Sequence, residues 1–131
     1  MGVSRDYLAY ILEQLAGLGQ VRSQRMFGGA GLYCDETFFG IITDDTLYLR
    51  ADEATRVQFT SRGMQPFRPY PERPQVSMSY YEVPAEVLEE AAELIAWSRR
   101  SVAAAQAAAG ERLGRARAKS RRAGSRKARA S

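Results

Sequence analysis

Thirty residues, 21–50, constrain most strongly what this chain can fold into. Four short runs rich in aromatic and β-branched residues (21–27, 30–34, 38–42 and 47–50) are separated only by turn-forming residues. The breaks are Gly28-Gly29, Asp35-Glu36-Thr37 and Thr43-Asp44-Asp45-Thr46. Connections this short leave no room for a crossover helix, so successive strands must pair antiparallel as a meander. Alternation along the fourth run turns Leu47 and Leu49 toward a core and Tyr48 and Arg50 away from it.

The flanking segments have helical spacing. Over residues 4–18, Tyr7, Leu8, Ile11, Leu12, Leu15 and Leu18 trace one broad apolar stripe, with Ser4 as N-cap, Asp6 in the first turn and Gly19 as a left-handed stop. Asp52 caps a short helix reaching about Arg62 and ended by Gly63, with Val57 and Phe59 as its largest apolar side chains. Residues 66–74 hold four of the five prolines and read as an irregular or edge segment. Residues 76–82 then alternate as a strand, with Val76, Met78 and Tyr80 on one face.

Pro84 opens the longest helix, which runs to about Ala109 and buries Val87, Leu88, Ala91, Leu94, Ile95, Ser98 and Val102. Glu86, Glu89, Glu90 and Glu93 suit its N-terminus and otherwise form a solvated face. The expected fold is α+β. An antiparallel meander carries N-terminal, short central and long C-terminal helices in the order α-β-β-β-β-α-β-β-α, as one domain over residues 1–109.

Charge divides the chain at the same boundary. Up to Gly110 ten arginines face fourteen acids, a balance of −4; from Glu111 onward nine Lys/Arg face one acid, a balance of +8. The basic residues are Arg112, Arg115, Arg117, Lys119, Arg121, Arg122, Arg126, Lys127 and Arg129. Residues 110–131 offer almost nothing to bury, so they are expected to form a flexible tail. A dense cationic segment binds polyanions by releasing condensed counterions, without reading sequence, and these nine residues are the candidate nucleic-acid contacts.

Composition argues against catalysis. The chain has no histidine and one cysteine, Cys34, and its only lysines, Lys119 and Lys127, lie in the tail. Histidine-assisted nucleophiles, the common zinc and iron ligand sets and a lysine activated in a pocket are thereby removed. No catalytic residue, metal ligand or cofactor is expected. The N-terminal residues lack a signal-peptide pattern and no apolar run spans a bilayer, so the expected location is the cytoplasm, without a membrane partner.

Other features have plainer readings. Gly28-Gly29 lacks the Lys and Ser/Thr of a phosphate loop and is read as a turn needing positive φ. The acidic pairs Asp35-Glu36 and Asp44-Asp45 cap turns. Tyr80-Tyr81, Phe67 and Tyr70 are assigned to packing rather than base stacking, and Cys34 to a buried strand position.

Arg25-Met26-Phe27-Gly28-Gly29, then Gly31-Leu32-Tyr33, Leu47-Tyr48-Leu49-Arg50, Pro66-Phe67 and Met78-Ser79-Tyr80-Tyr81-Glu82-Val83-Pro84, follow one another in that order. Together with the Trp97 helix they resemble the TfoX N-terminal domain family over residues 4–108. The resemblance implies an antiparallel sheet with helices on one side and brings no catalytic residues. The family's best-known members regulate natural competence as co-activators with a cyclic-AMP-receptor-type transcription factor. Such members also carry a second, helical domain, where this sequence has its basic segment. The implied partner is a protein, either that regulator or other transcription machinery. DNA or RNA held by the tail, and a second copy of the chain, are further expected partners. The alternative is a protein-interaction or chaperone-like module in which the tail is incidental.

Overall fold

The computed structural model describes residues 3–26, 28–70, 72, 73, 75 and 78–130, with side chains described as far as residue 120. The meander is present. Strands β1 (Val21–Met26), β2 (Gly29–Cys34), β3 (Thr37–Thr43), β4 (Thr46–Arg50) and β5 (Tyr80–Glu82) form one five-stranded sheet in chain order. All neighbouring pairs are antiparallel. Thr43 pairs with Thr46, and both residues between them, Asp44 and Asp45, take φ of 51°. Two consecutive positive φ values define the hairpin turn whose twist matches the strands.

Gly28 and Gly29 serve different purposes. Gly28 has φ 77° and open space around it, whereas a Cβ on Gly29 would collide with the backbone carbonyl of Ile42. Gly28→Ala should therefore cost only the left-handed penalty, roughly 1–2 kcal/mol. Gly29→Ala forces two strands apart and should cost about 3 kcal/mol. Urea midpoints of the two variants check the ranking; a larger loss at Gly28 would contradict it.

A bulge in β3 decides the sheet's two faces. Leu32 pairs with Gly40 but Tyr33 pairs with Phe38, so Phe39 is the extra residue. Phe39 enters the core, where it is completely buried, and Phe38 turns to the opposite face. The core face also carries Leu32, Ile42, Leu47 and Leu49, all at most 1% exposed.

Helices cover that face. Helix α1 (Arg5–Gln14) buries Ile11, with Leu15 just beyond its end, and the Ser4 hydroxyl accepts from the Tyr7 amide at 3.1 Å. It stops a turn earlier than its apolar stripe, since residues 15–18 tighten into short-range turns ahead of Gly19 at φ 142°. Helix α2 (Glu53–Thr60) buries Phe59 between Tyr81 and Trp97, while Val57 faces solvent. The Asp52 carboxylate accepts from the Thr55 amide at 2.8 Å, and the Thr55 hydroxyl accepts from the Asp52 amide at 3.0 Å.

The Thr55 amide and the Thr55 hydroxyl, which also donates to the carboxylate at 3.0 Å, hold the Asp52 carboxyl below its usual range. The folded-state pKa is depressed, so this contribution is present above the unfolded value and is lost as pH falls through the folded one. Asp52→Ala should cost about 1 kcal/mol at neutral pH. The gap between variant and parent should narrow below about pH 4 in thermal unfolding.

Two elements depart from the sequence reading. The strand expected over residues 76–82 is reduced to Tyr80–Glu82; Met78 is exposed, and Val76 and Ser77 lie outside the described residues. Against its outer edge, where a sixth strand is expected, only the bridge Pro66↔Tyr81 forms, flanked by Phe67 N donating to Tyr80 O and Glu82 N to Gln65 O. Prolines 66 and 69 leave too few donors and too little freedom in φ for a longer ladder.

The last helix is also broken, into α3 (Ala85–Leu88) and α4 (Ala91–Ala130). The Leu88 carbonyl instead accepts from the Gln14 side-chain amide at 2.8 Å and the Tyr10 hydroxyl at 3.0 Å. The break shifts the buried stripe of α4. Leu94, Trp97, Ser98, Ser101 and Ala104 are buried, while Ala91 is exposed.

Gly110 does not end the helix. Helical backbone continues to Ala130. Alanine, arginine and lysine are strong helix formers, and the docked part of α4 already supplies the costly nucleus. What ends near residue 110 is packing: Ala104 is the last buried residue described, and residues 110–120 are exposed.

Candidate nucleic-acid interface

Forty residues make α4 about 60 Å long, so its basic part projects well beyond the sheet. Arg112, Arg115, Arg117 and Lys119 all lie on exposed turns of this projection. Arg121, Arg122, Arg126, Lys127 and Arg129 occupy its helical backbone, and their side chains lie outside the described ones. Positions 112, 115, 119, 122, 126 and 129 recur at three- and four-residue intervals, so the helical backbone gathers six of the nine into one stripe. A flexible segment would have no such stripe.

Arg112 also reaches the folded domain. A cleft of about 400 Å³ lies between α4 and the sheet, lined by Phe38, Arg50, Tyr80, Gln106 and Arg112, with Glu36 and Thr37 at the β2–β3 turn. Gln106 donates to the Thr37 hydroxyl at 3.5 Å. Burial raises the pKa of the Tyr80 phenol, with Arg50 and Arg112 pulling the other way. Arg50 Nε is buried, with no hydrogen-bond partner among the described residues. Arg50 also borders a second cleft on the other side of α4, of about 430 Å³, with Asp52, Arg56, Met78 and Glu111.

From this cleft a row of side chains crosses the sheet face opposite the core. The Arg50 guanidinium lies 5.6 Å from the Tyr80 ring centre, and Tyr80 lies 5.7 Å from Phe38. Phe38 lies 5.1 Å from Tyr33, and the Arg22 guanidinium sits 4.2 Å over Tyr33. Each of the five strands contributes one member of this row. Tyr48 and Phe67 form a second aromatic pair, 5.1 Å apart.

The sequence reading correctly assigns Tyr81 to packing, and it places Cys34 in the interior, where burial raises the thiol pKa. It misses Tyr33, Phe38, Arg22 and Arg50 as a group. The parity of Arg22, Tyr33 and Arg50 opposite core residues was available as a signal, but the bulge that turns Phe38 outward was not. Among the described residues, no group of three His, Cys, Asp or Glu side chains is placed to hold a metal. No helix of the described residues is long and apolar enough to cross a membrane.

A five-stranded antiparallel meander covered by helices on one face defines a small α+β domain, here bearing a cationic helical extension. The chain belongs to the TfoX N-terminal domain family, whose profile matches residues 13–105. It is similar to the DNA transformation protein TfoX1 of Aliivibrio fischeri, 29% identical over 66 residues, covering 50% of this chain and 32% of that protein. The chain thus spans about a third of the length of that relative. It is also similar to an uncharacterized 12.7 kDa protein in the trpE 5′ region of Spirochaeta aurantia. That match is 32% identical over 91 residues, covering 70% of this chain and 73% of the relative.

Proposed function

We propose that this protein is a non-enzymatic regulatory module related to DNA transformation, which docks on a protein partner through its folded domain and holds nucleic acid through its cationic extension. The observation that carries this reading is the charge division. A domain of net charge −4 precedes a segment of net charge +8, whose described cations are exposed on a projecting helix. The family match and the DNA transformation relative support the regulatory part. In this reading the protein partner is transcription machinery or a cyclic-AMP-receptor-type regulator. The extension adds affinity for whatever DNA or RNA lies beside it.

The charges provide a graded test. Each cation removed from a phosphate contact lowers the slope of log K against log salt by about 0.9. Replacing Arg112, Arg115, Arg117 and Lys119 by Gln, three of them on the stripe, should therefore flatten the slope on duplex DNA by roughly three units. Fluorescence anisotropy across a salt series measures it. An unchanged slope would place the contacts elsewhere, and absence of binding by the parent chain would favour a purely protein-binding module.

A further inference from the structure

We propose that the open sheet face and the adjoining α4 cleft form a single-stranded nucleic-acid site, with bases on Tyr33 and Phe38 and phosphates on Arg50 and Arg112. This deepens the nucleic-acid reading above and rests on it. The row from Arg22 to Arg50 crosses five strands, roughly 19 Å at the usual strand spacing. Sheets that carry aromatic rings in this way stack about two or three bases.

Local packing leaves Tyr33 and Phe38 part-exposed. A Cβ on Gly31 would lie 2.5 Å from Phe38 Cε1 and 2.6 Å from Met26 Cε. The bare glycine therefore lets Phe38 lie low across the sheet, its ring only part-buried. The bulge at Phe39 turns Phe38 to this side. Tyr80, 4% exposed, forms the floor between Phe38 and Arg50.

Charge selects the occupant. Arg22 and Arg50 flank the row, and Arg112 stands across the cleft from Arg50; Glu36 lies at the cleft rim and Glu82 beside Tyr48, while Asp52 and Glu111 share with Arg50 the second cleft on the other flank of α4. A guanidinium is planar and stacks on bases as well as pairing with phosphate. A duplex keeps its base faces inside its own stack, so a part-exposed aromatic row selects single strands. The same cleft contains the first basic residue of the extension, so a strand held by the α4 stripe passes directly onto the sheet.

The test uses the full chain with two probes of equal length, a thymidine 12-mer and an abasic sugar–phosphate 12-mer. Stacking should make the thymidine probe bind about tenfold more tightly. Phe38→Leu and Tyr33→Leu, which keep apolar volume on the sheet, should each erase most of that preference and leave abasic affinity unchanged; either variant suffices if the other fails to fold. Gln at the extension cations should weaken both probes together. Equal affinity of the parent for both probes overturns the sheet site and leaves the electrostatic reading standing. Binding of neither probe overturns both. A preference that survives both leucine variants puts the stacking surface elsewhere. If sedimentation shows a dimer that these variants dissociate, the face is an interface between copies and the proposal falls.

Discussion

Raising salt from about 50 to about 200 mM should weaken binding of the full chain to duplex DNA by roughly three orders of magnitude. The size follows from the number of cations that release counterions. Nine Lys/Arg lie between residues 111 and 131, against one acid, Glu111. If all nine meet phosphates, the slope of log K against log salt approaches about −8. The helical backbone through Ala130 places six of the nine positions on one stripe, and a stripe on one face engages fewer phosphates than a chain wrapping a duplex. The measured slope should therefore lie nearer −5 to −6, roughly six phosphates at about 0.9 each. Sequence should matter little, because these contacts read phosphates and not base edges. A slope near zero with retained affinity would mean that apolar or hydrogen-bonded contacts, and not the extension, hold the nucleic acid.

Phe39→Ala should be the most damaging single substitution among the sheet's aromatic residues. The side chain is completely buried at the bulge, in a core shared with Leu32, Leu49 and Leu94. Truncation removes its transfer free energy and leaves a cavity, costing about 3–5 kcal/mol. Small domains have only about 5–15 kcal/mol in total, so Tm should fall by roughly 10–30 °C. Phe38, its neighbour in sequence, is only part-buried on the opposite face, and Phe38→Ala should cost well under half as much. Calorimetry of the two variants reads this ratio. Equal losses would mean that the bulge does not separate the two rings.

The pair Phe38-Phe39 shows where sequence reasoning reaches its limit. Strict alternation along β3 from Ile42 and Gly40 would bury Phe38 and expose Phe39, and one extra residue reverses both. A bulge has no composition signal in a run of two phenylalanines. The break after Leu88 was hidden for a similar reason: Glu89-Glu90 are good helix residues, and the competing donors, Tyr10 and Gln14, come from the other end of the chain.

Turn and cap chemistry was legible because it is local. Ser4 and Asp52 cap the helices expected of them, and Asp44-Asp45 form a tight hairpin turn. The basic segment was legible as charge. The aromatic row was half legible. Alternation pointed Tyr48 and Arg50 away from the core, but only the fold brings Arg50, Tyr80 and Arg112 together around one cleft.

The most direct test compares the full chain with a chain ending at Gly110, six residues beyond the last buried residue described, Ala104. Anisotropy of one labelled duplex DNA and one labelled RNA, at about 50 mM salt, would be measured for both chains. Binding by the full chain that is lost with residues 111–131 is the expected result, since the remaining domain carries a net charge of −4. Equal affinity of the two chains, or no binding by either, would contradict it.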